Sequence, residues 1–344
     1  GSDSEYYGSI ALASGGAVYV GGYTYSTDYP TSNPYQSSKN GSYDLVLTRF
    51  SSLTAAASDF STYLGGTGYN YGTFGDGLDA FGEDALLLGK TNSLDFPTVN
   101  PYQPAYAGAN DAVVARFDSA GELLMSTYLG GSDGESPSGI SGGYADFAVF
   151  GYTSSLDFPT VNPYQAERKG SSSNTYFSAF LTVFNTATDL SFSTYLGGAV
   201  DDYGQALWFS GTDILVAGHT RSTDFPTADP FQPAKIGDNS SYDAFIARFD
   251  GDRDLVFSSY LGGSGDEEFV FGVGMLGDRI CLSGSTRIER KKTGSTNHLF
   301  NLMDDSFSFG FFGGSLKNVD SLFRYNIGIY IQMIIVRILC DNLS

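Results

Sequence analysis

An oxygen-bearing side chain recurs at one position of the sequence, four residues after a recurring glycine. The five residues at this position are Glu5, Asn70, Glu135, Asp202 and Glu267. Carboxylate and amide oxygens are the ligands that hard cations prefer, so a ring of them on one face could hold Ca²⁺ or a polyol. The same residue types also hydrogen-bond backbone amides in tight turns. Both interpretations stay open, and Ca²⁺ is the candidate cofactor.

A second candidate site is the motif S-x-D-F/Y-P-T, which is followed by N/D-P-Y/F-Q and occurs four times. Its aromatic residues could stack on sugar rings, while its aspartates accept hydrogen bonds from sugar hydroxyls. These ligand-binding candidates are Tyr35, Tyr102, Tyr164, Phe231, Asp28, Asp95, Asp157 and Asp224. In the alternative interpretation, the proline stiffens a long loop, the aromatic residue before it packs on the sheet edge, and the aspartate caps the turn. Repetition favours this structural role.

The elements that position these residues follow from a repeated hexapeptide. It reads STYLGG at 61–66, 126–131 and 193–198, and SSYLGG at 258–263. Each unit also contains runs of five to eight residues rich in Val, Ile, Phe, Tyr and Leu and bounded by Gly, Asp, Asn, Ser or Pro, such as DALLLGKT at 84–91. This pattern predicts short strands. We expect the hexapeptide to be a strand end with its exit turn, in which one glycine takes a positive φ.

Four short strands in a repeat of about 65 residues are typical of a β-propeller blade. The sequence therefore predicts an all-β propeller of about five four-stranded blades, whereas a parallel β-helix is the rival fold. The predicted units are about 1–65, 66–130, 131–197, 198–262 and 263–313, so the propeller spans 1–313. Residues 314–344 form a degenerate sixth unit, closing strands or a capping tail.

The ordered succession of STYLGG, an acidic loop, VYVGGYT or a variant, S-x-D-F-P-T and DAFIARF resembles the bacterial SBBP repeat family. The resemblance covers residues 1 to about 290. It implies a seven-bladed-propeller-like fold, an extracellular or cell-envelope location and a scaffold without enzymatic activity. This sequence departs from the pattern because it contains five units and because the fifth lacks the D-F-P-T loop.

Charge and composition exclude several classes of function. The formal net charge of −20 repels phosphate backbones, so we expect no nucleic-acid partner. The apolar segment 326–340 contains Gln332 and Arg337 and is shorter than the roughly 20 residues of a membrane span, so we expect none. With only two histidines, the sequence predicts no catalytic residues and no enzyme.

The sequence thus predicts a non-catalytic, secreted or cell-surface repeat module that acts as a binding or structural scaffold for a protein or glycan. We expect it to be monomeric or part of a larger multidomain chain. One alternative is a calcium-dependent or carbohydrate-binding adhesin. A second is a propeller-based hydrolase or lyase, which needs a polar cluster that is not repeated in every unit.

Overall fold

The chain is all-β in its described part. The computed structural model describes residues 1–73, 76–170, 175–185, 187, 189–236, 238–263, 269–276, 279–286 and 307–309. These ranges contain β-strands and no helix, and hence no helix that could cross a membrane. Glu267 and the predicted tail at 314–344 lie outside the described residues.

The strands form five antiparallel sheets that follow one another along the sequence. Sheet 1 contains β1 (Glu5–Leu12), β2 (Val18–Thr24), β3 (Asp44–Phe50) and β4 (Phe60–Leu64). Sheet 2 contains β5 (Asn70–Gly72), β6 (Leu78–Phe81), β7 (Asp84–Thr91), β8 (Asp111–Phe117) and β9 (Leu123–Leu129). Sheet 3 contains β10 (Glu135–Gly142), β11 (Asp146–Thr153), β12 (Ser178–Asn185) and β13 (Leu190–Leu196).

Sheet 4 contains β14 (Asp202–Ser210), β15 (Asp213–Thr220), β16 (Asp243–Phe249) and β17 (Leu255–Leu261). The described part of sheet 5 contains β18 (Phe269–Leu276), β19 (Arg279–Thr286) and β20 (Phe307–Phe309). Each strand pairs with the next one in sequence, except that β5 and β6 both pair with β7. The predictions of an all-β fold and of four short strands per unit are confirmed for sheets 1, 3 and 4, and in sheet 2 the first strand is split in two.

Apolar side chains fill the space between consecutive sheets. One cluster of buried residues joins sheets 1 and 2, a second joins sheets 2 and 3, a third joins sheets 3 and 4, and a smaller one joins sheets 4 and 5. The first strands of successive sheets also contact one another, from β1 to β6, β10, β14 and β18. Burial of these faces is the main favourable contribution to folding, so each sheet depends on its neighbours for its core.

The hexapeptide holds the long loop between the second and third strands of its own sheet. We call this loop, at 26–36, 93–103, 155–165 and 222–232, the proline loop. In sheet 2 the hydroxyl of the buried Tyr128 accepts a hydrogen bond from Phe96 N (2.9 Å) and donates one to Ser93 O (2.8 Å). A single phenol group therefore satisfies two backbone groups at the start of the loop.

The other polar residues of the hexapeptide bind the rest of the same loop. Ser126 Oγ donates to Pro97 O (2.7 Å), and Thr127 Oγ1 accepts from the backbone N–H of Gln103 (2.8 Å). Gly130 N in turn donates to Gln103 Oε1 (3.0 Å). We call these bonds, with those of the tyrosine, the anchoring network.

The anchoring network recurs in all four sheets that contain a proline loop. Its tyrosines are Tyr63, Tyr128, Tyr195 and Tyr260, and its glutamines are Gln36, Gln103, Gln165 and Gln232. The aromatic residues before the prolines, Tyr29, Phe96, Phe158 and Phe225, are buried as the structural interpretation predicts. The hexapeptide and the proline loop recur together because each is the hydrogen-bonding partner of the other.

The glycine pair of the hexapeptide is required for space and not for a positive φ. None of the glycines at 65–66, 130–131 and 197–198 has a positive φ, so that part of the prediction is wrong. A Cβ atom on Gly130 would collide with the carboxyl of Glu135 and lie 2.8 Å from Asp111 Cγ. One on Gly131 would lie 2.5 Å from Asp157 Oδ1. Both glycines therefore let the strand end approach polar side chains closely.

The anchoring network predicts that removal of one tyrosine hydroxyl destabilises the fold. Tyr128→Phe leaves Phe96 N and Ser93 O without their buried partner, which should lower the free energy of unfolding by about 1–3 kcal/mol. Tyr144→Phe is the matched control because Tyr144 is 92% exposed. Urea unfolding of both variants tests this, and equal stabilities would contradict it.

Candidate functional site

Each described oxygen-bearing residue begins the first strand of its sheet and binds hydroxyl groups of that sheet. Glu135 Oε1 accepts hydrogen bonds from Thr153 Oγ1 and Ser155 Oγ, both at 2.6 Å. The corresponding acceptors in the other sheets are Glu5, Asn70 and Asp202, and their donors are Thr24 and Ser26, Thr91 and Ser93, and Thr220 and Ser222. The side chains of Asn70, Glu135 and Asp202 are buried, whereas Glu5 is partly exposed.

The oxygen-bearing residue also contacts the third strand of the preceding sheet. Asn70 Nδ2 donates to Asp44 Oδ1 at 2.9 Å, and both residues are fully buried. In the next pair the carboxyls of Asp111 and Glu135 both lie beside Gly130. One position thus links neighbouring sheets, with an amide–carboxylate pair in one case and two carboxyls in the other.

Burial changes the titration of these carboxyls. It raises the pKa of Glu135 to about 8, and the negative charge of Asp111 adds to this effect. Burial likewise raises the pKa of Asp111 to about 6 and that of Asp202 to about 7. At neutral pH Glu135 is therefore largely protonated, which removes the repulsion between two buried carboxylates.

The oxygen-bearing residues are separate in the described structure. Each occupies its own sheet and binds a threonine and a serine there. Within the described ranges, no group of three or more His, Cys, Asp or Glu side chains is placed to hold one metal ion. The Ca²⁺ site at Glu5, Asn70, Glu135, Asp202 and Glu267 stays a prediction.

The aspartates of the proline loop bind the turn that follows the glycine pair. Asp157 Oδ1 accepts hydrogen bonds from Ser132 N (2.8 Å) and Ser132 Oγ (2.9 Å). Asp28, Asp95 and Asp224 bind the equivalent backbone amides of Ser2, Thr67 and Ala199. Protein groups therefore occupy one oxygen of each aspartate that we considered as a sugar ligand.

The second aromatic residue of each proline loop lies at the surface. Tyr35, Tyr102, Tyr164 and Phe231 are 39–49% exposed. Two of them also contact a ring of the following sheet, because Tyr35 lies 6.2 Å from Phe117 and Tyr164 lies 6.2 Å from Phe249. Each of the four residues belongs to a different proline loop.

The structure contains a cavity of about 620 Å³ that the sequence did not reveal. Residues of all five sheets line it, including Tyr23, Tyr71, Lys90, Tyr152, Gln205 and Phe271. Its volume lies within the range of about 300–1,000 Å³ that is usual for small-ligand sites. It is the candidate functional site because it brings unlike side chains together at one place.

Residues at bulges and breaks in the first strands of the sheets form much of the cavity lining. In β10, β14 and β18 one extra residue forms a bulge opposite the second strand, and these residues are Ser138, Gln205 and Phe271. In sheet 2 the break between β5 and β6 contributes Thr73 and Asp76. All five residues line the cavity. Bulges redirect side chains and are frequent beside functional sites.

One cation and one carboxylate are found in the lining. Lys90 Nζ donates a hydrogen bond to Ser136 Oγ (3.3 Å) and lies 5.6 Å from the centre of the Tyr71 ring. Burial lowers the pKa of Lys90. Asp76 is exposed. Desolvation by the surrounding protein nevertheless raises the pKa of its carboxyl, and the charge of Asp79 adds to this effect. The cavity therefore offers both hydrogen-bond donors and acceptors.

Sequence reasoning missed the cavity because its lining comes from positions that differ between units. Tyr23, Lys90, Tyr152 and His219 occupy the same place in four second strands. In the structure burial lowers the pKa of His219 to about 4, and the ring stacks on Tyr203. The signal that could have indicated a site is this variation within an otherwise regular repeat.

Comparisons with known proteins give distant similarities. No family model matches the chain. The chain is 24% identical over 279 residues to the regulatory protein FlaEY of Caulobacter vibrioides, a match that covers 77% of this chain and 28% of the relative. Among solved structures, it resembles an acylaminoacyl peptidase of Pyrococcus horikoshii with a TM-score of 0.38 and 10% identity, over 82% of this chain and 35% of the peptidase.

The buried carboxyl of Glu135 predicts a specific dependence of stability on pH. Its folded-state pKa of about 8 exceeds the unfolded value of about 4.3, so the folded state holds an extra proton between these values. The free energy of unfolding should therefore fall as the pH rises from about 5 to 8, by at most about 1.4 kcal/mol per pH unit from this group.

Glu135→Gln should reduce this fall, because an amide keeps the hydrogen-bond acceptor without titrating. The variant should match the wild type near pH 5 and exceed its stability at pH 8. Glu122→Gln, at an exposed position, is the control. Urea unfolding across the pH range measures both, and a wild-type slope in Glu135→Gln would contradict the assignment.

Proposed function

We propose that the chain is a non-catalytic β-propeller repeat module, secreted or at the cell surface, that serves as a binding or structural scaffold. The observation that carries this proposal is a cavity bordered by described residues of all five sheets. Sheets arranged around a common space, with their first strands innermost, are the defining feature of a propeller. The resemblance to SBBP repeats supports the extracellular or envelope location.

The repeated motifs support a scaffold because they act on the chain itself. The hexapeptide binds the proline loop, the loop aspartate binds the turn after the glycine pair, and the oxygen-bearing residue binds hydroxyls at the end of the second strand. Most of the conspicuous polar residues are therefore used in architecture. The FlaEY relative is called a regulatory protein, a description that accords with recognition of a partner.

Two alternatives are retained. The exposed aromatic residues of the proline loops favour a carbohydrate-binding adhesin with several equivalent sites, and a rise of the unfolding midpoint in Ca²⁺ relative to EDTA would favour its calcium-dependent form. A hydrolase or lyase would need accessible acids. Among the described residues, the cavity lining contains one carboxyl, that of Asp76, whereas the close carboxyl pair of Asp111 and Glu135 is buried. This lining therefore offers no second acid beside Asp76, which disfavours that role.

The exposed face of β1 is where a closed ring would have to continue. Leu78, Ile140 and Leu207 pair with equivalent residues of their second strands and are 3–6% exposed. Ile10 occupies the same position in β1 but is 68% exposed. In a closed ring, a further unit covers Ile10 as the preceding sheets cover its three equivalents.

Ring closure predicts that Ile10 and Ile140 are both important for stability. Ile140→Ser should lower the free energy of unfolding by about 3 kcal/mol, because it replaces a buried apolar side chain with a smaller polar one. In a closed ring Ile10→Ser should cost at least about 1 kcal/mol. Leu53→Ser, at a position that is 80% exposed, is the control. Urea unfolding that gave Ile10→Ser the stability of Leu53→Ser would contradict closure.

A further inference from the structure

The cavity differs from the repeated parts of the chain in being asymmetric. At equivalent places of three second strands it presents Tyr23, Lys90 and Tyr152. The bulge residues also differ, since a serine, a glutamine and a phenylalanine occupy the same place in β10, β14 and β18. Unlike side chains at equivalent places make the lining asymmetric, and an asymmetric lining can hold one ligand in one orientation.

The lining combines flat aromatic rings with uncharged hydrogen-bonding groups. Tyr71 and Tyr152 are provided by different sheets, and both are partly exposed. Asn110 and Gln205 add amides, each able to donate and to accept. Ser138 adds a hydroxyl that can accept while it donates to Gly204 O (2.7 Å). A saccharide matches this combination, because its C–H face packs on an aromatic ring while its hydroxyls bind polar groups at the edge.

Within the residues that the structure describes, Lys90 uses only part of its donor capacity. An ammonium group carries three donors, and the described structure gives it the bond to Ser136 and the ring of Tyr71. Holding the half-buried ammonium of Lys90 away from water is costly unless other polar groups solvate it. Ligand hydroxyls can supply that solvation.

The charge balance favours a neutral ligand. The cavity contains one lysine and one aspartate, Lys90 and Asp76, so its lining has no net charge when both are ionised. The whole chain carries a formal charge of −20, which repels anions at long range. An acidic saccharide would therefore be disfavoured relative to a neutral one of the same size.

We infer that the cavity is a binding site for a neutral saccharide, stacked on Tyr71 or Tyr152 and hydrogen-bonded by Lys90, Asp76 and Gln205. This inference rests on the proposed scaffold function and names the ligand class of its central cavity. It places the site among the inner strands, away from the exposed aromatic residues of the proline loops.

Isothermal titration calorimetry of the whole chain tests the site. The probes are cellotetraose, xylotetraose, mannotetraose and maltotetraose as neutral saccharides, with tetragalacturonate as the acidic comparison. We expect at least one neutral probe to bind with a Kd below about 1 mM and more tightly than tetragalacturonate. No binding by any neutral probe, or tighter binding of tetragalacturonate, would overturn the inference.

Substitutions then locate the binding. Lys90→Met and Gln205→Ala should each weaken it by about tenfold, the equivalent of about 1.4 kcal/mol, while Tyr164→Ala at a proline loop should leave it unchanged. The reverse pattern would move the saccharide to the proline loops and refute the cavity site. Ser138→Ala, a smaller change at a bulge, replaces any cavity variant whose unfolding midpoint shows that it does not fold.

This test and the test of ring closure can fail separately. If no saccharide binds but Ile10→Ser and Ile140→Ser both destabilise the chain, the ligand assignment is wrong and the propeller stands. If Ile10→Ser leaves the free energy of unfolding unchanged while the cavity variants lose saccharide binding, the closed ring is wrong and the saccharide site stands.

Discussion

In each of the four repeats that contain a proline loop, the hydrogen bonds of one buried tyrosine hydroxyl hold that loop on its sheet. A long loop that lies against a sheet brings backbone N–H and C=O groups out of water, and these groups must find partners. The hexapeptide tyrosine supplies both a donor and an acceptor at one atom, as Tyr128 does for Ser93 O and Phe96 N. The loop can then cover the sheet without losing hydrogen bonds, and the aromatic residue at its start is buried.

Contacts between sheets depend on the two glycines that follow this tyrosine. Their lack of side chains leaves room for the oxygen-bearing residue of the next sheet, which meets the third strand of the preceding sheet and the threonine and serine of its own. The contact between neighbouring sheets is made by different polar groups in successive units. Asn70 binds Asp44 as an amide, whereas Glu135 faces Asp111 and holds a proton at neutral pH. A small set of buried polar groups therefore links neighbouring sheets to each other.

Much of the fold could be predicted because the relevant signals are local. The apolar runs at 84–91, 146–153 and 213–220 coincide with β7, β11 and β15, since short apolar stretches bounded by turn residues leave few alternatives to a strand. The role of the glycine pair was missed because it depends on residues that are distant in sequence, such as Asp111 beside Gly130. The split between β5 and β6 was missed for a similar reason, as Asp76 there pairs with Gly139 of another sheet.

The candidate site could not be predicted from the motifs, because the motifs are the part of the chain that serves architecture. The oxygen-bearing residues and loop aspartates drew attention by repetition, yet the structure gives each of the described ones a partner within the protein. The cavity instead collects residues from five sheets at positions where the units differ. Strand pairing in sheet 2 places Tyr71 opposite Lys90, and the packing of sheet 3 against sheet 2 brings Ser136 to Lys90.

We expect each hexapeptide and its proline loop to form one cooperative unit. A double-mutant cycle measured by urea unfolding tests it most directly, with Tyr128→Phe at one end of the loop contact and Gln103→Ala at the other. We predict a coupling energy of about 1 kcal/mol or more within this unit, and additive effects when Tyr128→Phe is combined with Gln165→Ala in the next sheet. Additive effects of Tyr128→Phe and Gln103→Ala would contradict the account, because the two ends of the loop would then be held independently.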